Sequence, residues 1–342
     1  MASKYRKTIT LPNGVRKQIY ASTAAELEEK VLEAKIQIRA GVDLSKDMSF
    51  EQFIRLWYKV NKYPHIKQKT REYYDNIIDN HLVPALGKLQ LRQIKPMNIS
   101  AVLSDMSELS ASLNTKALET LRSVFDSAVD NNLIAKSPVP NDQKPGGQPA
   151  KKVRALTKEQ SDRLLKALEG TRVYLFVWLA LKTGMRRGEL LGLKWDSVDL
   201  DGSVLHVRRN LVFADADETL NDYGKTDAAI RDLPLDPATV LLLRAERAKT
   251  NSLFVFSMRD GTMMTKSSFR AMWSAIDRRG FDVTPHQLRH TFCTRCFEAG
   301  LDVKEVQYLA GHANPDITMR IYIDYCKEQR QAETFAKVRS MA

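Results

Sequence analysis

At 342 residues, with 43% hydrophobic and 27% charged side chains, the chain is long enough for two or three domains with real cores and has an ordinary globular balance. Its 53 Lys and Arg against 41 Asp and Glu leave a formal charge of +12, which favours a polyanionic partner, either nucleic acid or an acidic membrane surface. No apolar run approaches the roughly 20 residues that span a bilayer, MASKYRKTIT carries no secretory apolar segment, and an odd three cysteines argue against a disulfide framework, so a cytoplasmic protein with reduced thiols is expected.

Residues 1–46 open with KYRKTITLPNGVRKQIY, where Asn13-Gly14 between two short alternating runs predicts a β-hairpin. A Thr23-x-x-Glu26 capping box then starts a helix with Leu27, Val31, Leu32 and Ile36 or Ile38 on its apolar stripe, ending near Gly41. Lys4, Arg6, Lys7, Arg16 and Lys17 all precede the first carboxylate, Glu26. A strand surface that basic suits a DNA groove; it is also how a solvated sheet edge protects itself.

Residues 47–136 turn helical. Ser49-x-x-Gln52 caps a helix with Phe53, Ile54, Leu56 and Trp57, a second carries Tyr74, Ile77, His81 and Leu82 and is stopped by Pro84 and Gly87, and a third carries Leu118, Leu121, Phe125, Ala128 and Val129. His65 and His81 have no acid or ligand nearby in sequence and read as surface or boundary residues. Residues 137–154, with Pro138, Pro140, Pro145, Gly146, Gly147 and Pro149 beside Lys151, Lys152 and Arg154, read as a basic interdomain linker. Thr157-x-x-Gln160 then caps the first helix of a second large domain, residues 155–342, mostly helical with a strand-rich insert at about 203–235. The fold class is multidomain, mainly α with small β-sheets.

Three clusters carry chemistry. In TGMRRGELLGLKW, residues 183–195, an apolar helix over Leu175–Leu181 ends at a Thr-Gly turn and places Arg186 at the start of the next segment. A guanidinium held there can grip a phosphate through two parallel hydrogen bonds, and Glu189, one helical turn on, can orient it. In TPHQLRHTF, residues 284–292, Thr284 caps, Pro285 takes the first helical position and Gln287 completes a capping box. His286, Arg289 and His290 then share a face near the helix N-terminus, where N–H groups and the dipole favour an anion; taken alone, the same spacing is a polar pair facing solvent. In AGHANPDITMRIYIDY, residues 310–325, a helix begun at Asp302 ends at Gly311, His312 follows, and Pro315 begins a helix bearing Tyr322, with Tyr325 as the rival phenol. Cys293 and Cys296 form a C-x-x-C without the second pair a tetrahedral zinc site needs, and read as two half-buried small residues.

In order and approximate spacing, Arg186 in TGMRRGE, His286-x-x-Arg289, Gly311-His312 and Tyr322 resemble the catalytic residues of the tyrosine recombinase, or phage integrase, family, over a domain of residues 155–342. Residues 47–136, including HLVPALGKLQLRQI, resemble that family's helical core-binding (SAM-like) domain, and the basic sheet and helix of residues 1–46 resemble the arm-binding domain of phage and conjugative-transposon integrases. The resemblance implies a site-specific DNA recombinase in which Tyr322 attacks the scissile phosphate, leaving a 3′-phosphotyrosyl bond and a free 5′-hydroxyl. Arg186 and Arg289 would neutralise the transition state, His286 would handle the tyrosine proton, His312 would hydrogen-bond the phosphate, and Lys225, on a hairpin between HVRRNLVF and IRDLPL, would protonate the leaving oxygen; Arg231 and Lys194 are weaker rivals for that last role. Glu189 and His290 are supporting residues. Neither metal nor ATP is implied. The partners implied are double-stranded DNA at core and arm sites, a homotetramer on DNA, and an accessory excision or DNA-bending protein, with no membrane. The tail KEQRQAETFAKVRSMA looks helical, packing on its own or a neighbouring subunit. A type IB topoisomerase-like enzyme and a catalytically silent DNA-binding regulator are the alternatives.

Overall fold

A computed structural model describes the chain from Tyr5 to Met341, apart from residues 46, 150–151, 214–217 and 224–228 and the side chains of 328–337. It comprises two compact units, Met1–Lys151 and Lys152–Ala342.

In the first unit β1 (Tyr5–Thr10) and β2 (Arg16–Ala21) pair antiparallel, Thr10 opposite Arg16. The turn is longer than a two-residue hairpin: Leu11 N donates to the Val15 carbonyl at 2.8 Å and Gly14 N to the Leu11 carbonyl at 2.9 Å, with Gly14 at φ +81°, a region glycine enters without steric cost. Cross-strand partners share a face, so Arg6, Thr8, Thr10, Arg16, Gln18 and Tyr20 lie on one side and Lys7, Ile9, Lys17 and Ile19 on the other. Ile9 packs with Leu11, Ala34, Ile38, Val42 and Leu44, which sets the second face against α1 (Ala24–Arg39). Thr23 caps α1 by accepting from Glu26 N, but Glu26 reaches back to Ser22 N and no reciprocal box forms. The predicted stripe is also narrower: Val31 is buried, whereas Leu32 and Ile36 are 61% and 57% exposed, because a two-stranded sheet covers only a thin seam of the helix.

Five α-helices follow among the described residues of this unit. The Ser49–Gln52 capping box opens α2 (Phe50–Trp57) as predicted. From α3 (Gln68–Ile77) the chain passes through a π-helical turn at Ile78–Leu82 into α4 (Val83–Leu86). Pro84 therefore does not stop the helix: it sits in the first turn of α4, after the wide turn has already broken the regular ladder, so its missing N–H costs little there. With α5 (Pro96–Asp105) and α6 (Ala111–Asp130) these helices enclose Phe50, Ile54, Ile77, Leu82, Leu121 and Phe125, the Phe50 and Phe125 rings stacked 5.6 Å apart. Each such side chain contributes roughly 1.5–3 kcal/mol on burial. Among its described residues the proline- and glycine-rich stretch has no helix or long strand, yet it is pinned through Gln148. Val139 is buried, Arg122 donates to the carbonyls of Asn141 and Gln143, and Gln148 exchanges backbone hydrogen bonds with Leu109 and Ala111.

The second unit runs α7 (Lys158–Leu168), α8 (Tyr174–Thr183), α9 (Arg187–Leu191), β3 (Val198–Asp199), β4 (Val204–Val207), β5 (Arg209–Phe213), β6 (Glu218–Asp222), β7 (Arg231–Pro234), α10 (Pro237–Arg247), α11 (Lys266–Asp277), α12 (Pro285–Glu298), α13 (Val303–Ala310) and α14 (Pro315–Ser340). Apolar on nearly every face, α8 sits inside the unit, its Phe176 ring within 5.3–5.8 Å of Phe256, Phe269 and Trp273. The single hairpin expected from HVRRNLVF and IRDLPL resolves into two pairings: β4 lies between β3 and β7, while β5 pairs with β6. The run splits at Arg208, which donates to the Val207 and Arg231 carbonyls and to Asp232. Under α12, α13 and α14 lies a smaller core of Cys293, Cys296, Phe297, Val306, Ala310 and Ile321. Both cysteines are buried rather than half-buried, and burial pushes their thiols up to about 11 and 12. No helix among the described residues is long and apolar enough to cross a membrane.

Candidate active site

Arg186 owes its place to two glycines. Gly184 ends α8 at φ +62°, where a Cβ would also clash with the Phe292 ring; the reversal buries Met185 and makes Arg186 the extended residue that opens α9. Gly188 lets α9 approach β5, since a Cβ there would lie 2.6 Å from the Leu211 carbonyl oxygen. One turn into α9, the Glu189 carboxylate is fully buried and takes five donors. Its Oε2 accepts from Arg186 N and Arg231 Nη2, both at 2.8 Å; its Oε1 accepts from Arg186 Nη1 at 2.7 Å and from Tyr223 Oη and Arg231 Nη1 at 3.2 Å. Burial alone would raise this carboxyl, but the hydrogen bonds and charge of Arg231, with Arg186, hold it down at about 2.

Thr284 caps α12 by accepting from Gln287 N at 3.1 Å. Gln287 does not complete a box; it donates to the Arg154 carbonyl instead. From the second turn Arg289 runs inward, 4% exposed, with Nη1 2.7 Å from the Gly184 carbonyl and Nη2 on that of Ala310. Desolvation, then the neighbouring Arg186 charge, lower its guanidinium to about 10, so it stays charged at neutral pH. His286, on the exposed first turn of α12, is shifted down by partial desolvation and by Arg289.

The third wall is the end of α13, which starts at an Asp302–Glu305 capping box and stops at Gly311 with φ +64°. The last carbonyls of a helix have no partner within it. Here three successive ones are each taken by a different arginine: Leu309 by Arg231 Nε at 2.7 Å, Ala310 by Arg289 and Gly311 by Arg186. His312 follows, buried, its Nδ1 2.8 Å from the hydroxyl of Thr318 at the start of α14. Desolvation first, then the charges of Arg289, Arg186 and Arg231, push its imidazole down to about 3, so it is neutral at physiological pH. Tyr322, one turn further along α14, is 37% exposed and meets the Phe297 ring edge-on at 5.2 Å. Tyr325 stacks on the same ring and packs into the small core.

Arg186 and Glu189 are thus bonded to each other, Arg289 and His312 lie with them at the end of α13, and His286 and Tyr322 sit on the flanking helices. Lys225 lies outside the described residues, as do Lys4 and Lys151. The two rivals for the lysine's role are otherwise engaged: Lys194 sits over the Phe254 ring, and Arg231 is fully buried. Arg6, Lys7 and Arg16 are exposed, but Lys17 is tied to the Leu44 carbonyl and Asp47. Lys152 pairs with Asp324 at 2.8 Å, and Arg154 is exposed. His290 is half-buried behind Arg289 in sequence. Arg231, Tyr223 and Thr318 were not legible as members of the site; a period-two reading of Arg231, Leu233 and Leu235 would have placed that arginine on the inward face of β7.

A buried Glu189 that holds Arg186, with Arg289 on the neighbouring carbonyl at the end of α13, is an arrangement suited to a phosphate group, and similarity to known proteins places the chain among DNA strand-transferring enzymes. Residues 154–329, just over half the chain, match the phage integrase family, and residues 49–107 match the phage integrase N-terminal SAM-like domain; the chain belongs to the phage integrase family of tyrosine recombinases. It is 28% identical to the tyrosine recombinase XerC-like protein of Caldanaerobacter subterraneus subsp. tengcongensis, over 95% of this chain and 93% of that one. To the transposase from transposon Tn916 of Enterococcus faecalis it is 25% identical, covering 90% and 82%. Its fold is shared with the Tn1549 transposon integrase, solved in complex with a circular intermediate DNA, at a TM-score of 0.69, 21% identity and coverage of 83% and 99%.

Proposed function

We propose that this recombinase integrates and excises a mobile element, with Tyr322 as nucleophile. Tyr322 Oη attacks the scissile phosphorus, the bond from phosphorus to O5′ breaks, and a 3′-phosphotyrosyl linkage and a free 5′-hydroxyl result. A different 5′-hydroxyl then reverses the step and joins new partners, so no external energy source enters the balance. Negative charge grows on the non-bridging oxygens of the transition state, and Arg186 and Arg289 neutralise it from positions fixed in advance. His312, neutral, offers a hydrogen bond to the phosphate; His286 takes the tyrosine proton; Lys225 donates one to O5′.

The observation that carries this reading is the pair of guanidinium groups anchored on adjacent carbonyls, Ala310 and Gly311, beside a neutral His312. Two like charges held together next to a single buried carboxylate make a site for a phosphate diester. Double-stranded DNA is the substrate, and exchange of two strands from each of two duplexes calls for four copies of the chain. The outer face of β1 and β2, with Arg6 and Arg16, serves arm sites; Lys7, Lys151, Lys152 and Arg154 add backbone charge, and an accessory excision or bending protein sets direction. A nicked suicide duplex containing the element's end tests the chemistry. Wild type is expected to accumulate a covalent DNA adduct that Tyr322→Phe does not form, and an adduct surviving that substitution would refute the assignment.

A further inference from the structure

We infer that Arg231 is a positioning residue of this site, holding Arg186 and the His312 turn in register without touching DNA; the inference rests on Arg186 being a phosphate ligand. The Arg231 side chain has no exposure, and four hydrogen bonds hold its fork. It grips both oxygens of Glu189, donates to Ala229 O at 2.9 Å, and reaches Leu309 O through Nε at 2.7 Å. It is wedged against the end of α13, where a Cβ on Gly311 would stand 2.7 Å from its Nη1. Arg186 rests on two supports, the Glu189 carboxylate and the Gly311 carbonyl, and Arg231 is bonded to the first and packed against the second. The planar guanidinium therefore sets the spacing between α9 and the last turn of α13, and so the placement of the Arg186 fork. A lysine cannot do this, because one ammonium lacks the flat, five-donor geometry that spans a carboxylate and a carbonyl on different elements.

The test compares adduct formation by full-length protein on two suicide duplexes, one with an ordinary scissile phosphate and one with a methylphosphonate there, which lacks the charge Arg186 neutralises. Arg231→Met is expected to react about 10²–10³-fold more slowly than wild type on the phosphate, as for loss of one oxyanion donor. Its ratio to wild type should recover at least about tenfold on the methylphosphonate, with DNA affinity changed by less than about threefold. Equal slowing on both linkages, or no slowing on the phosphate, would overturn the inference. If Arg231→Met does not fold, Arg231→Lys keeps the charge and should show the same linkage dependence at smaller amplitude; a folded lysine variant at full rate overturns it equally. A wild-type adduct that vanishes in Tyr322→Phe, run alongside, judges the recombinase reading separately.

Discussion

Replacing Glu189 with glutamine preserves volume and removes one charge, and the structure says what that costs. The carboxylate takes five donors, three on Oε1 and two on Oε2. A glutamine amide has one acceptor oxygen, so in either orientation its NH₂ faces at least two N–H or O–H donors in a dry site. Two independent estimates agree in size. Breaking a buried ion pair from one side costs about 3–5 kcal/mol, and a carboxyl held at about 2 against an ordinary 4.5 contributes about 3 kcal/mol at neutral pH. Because the folded-state value is depressed, that stability is present above pH 4.5 and drains away as pH falls toward 2. Urea unfolding followed by tryptophan emission reports mainly on the second unit, which holds Trp178, Trp195 and Trp273 of the four tryptophans, and a Trp57→Phe background makes it specific. Glu189→Gln should lower stability at pH 7 by about 3 kcal/mol, with the gap to wild type more than halved by about pH 3. Adduct formation should slow about 100-fold because Arg186 loses its main support. A loss under about 1 kcal/mol at pH 7, or a gap that does not depend on pH, would refute the network as described.

Three further outcomes follow from the same geometry. His312, depressed to about 3 from 6.5, contributes stability that is complete above pH 6.5 and lost as pH falls through that range. Between pH 6.5 and 4.5, before Glu189 titrates, the wild-type melting temperature should drop and that of His312→Gln should drop less. Gly188→Ala should cost roughly 1–3 kcal/mol by overpacking, since the new methyl meets Asn210 and the Leu211 carbonyl of β5; thermal unfolding measures it. Arg6→Ala and Arg16→Ala should each weaken binding to arm-site DNA and reduce its salt slope by about 1, while Lys17→Ala, already tied to Leu44 and Asp47, should change the slope less.

Local signals carried most of the architecture. Capping residues at Ser49, Thr157 and Asp302 and the helix-ending glycines Gly184 and Gly311 were readable because each acts on its own few neighbours. The candidate arginines, histidines and tyrosine were legible as motifs for the same reason, each lying within about two turns of a marked helix terminus. What stayed hidden depends on partners far along the chain. Pro84 looked like a stop because a wide helical turn before it cannot be seen in composition. Leu32 and Ile36 looked like core because periodicity does not say how much surface a two-stranded sheet covers. Arg231 read only as a weaker rival for the lysine's role because its carboxylate is 42 residues away, and its helix-end carbonyl 78 residues away.

The central claim is that one tyrosine, Tyr322, carries the DNA. Proteolysis of the adduct trapped on a suicide duplex, followed by mass spectrometry of the nucleotide-bearing peptide, reads that directly. The account predicts a 3′-phosphate ester on Tyr322, retained in Tyr325→Phe and absent in Tyr322→Phe. A nucleotide on Tyr325, or attachment through a 5′-phosphate, would contradict it.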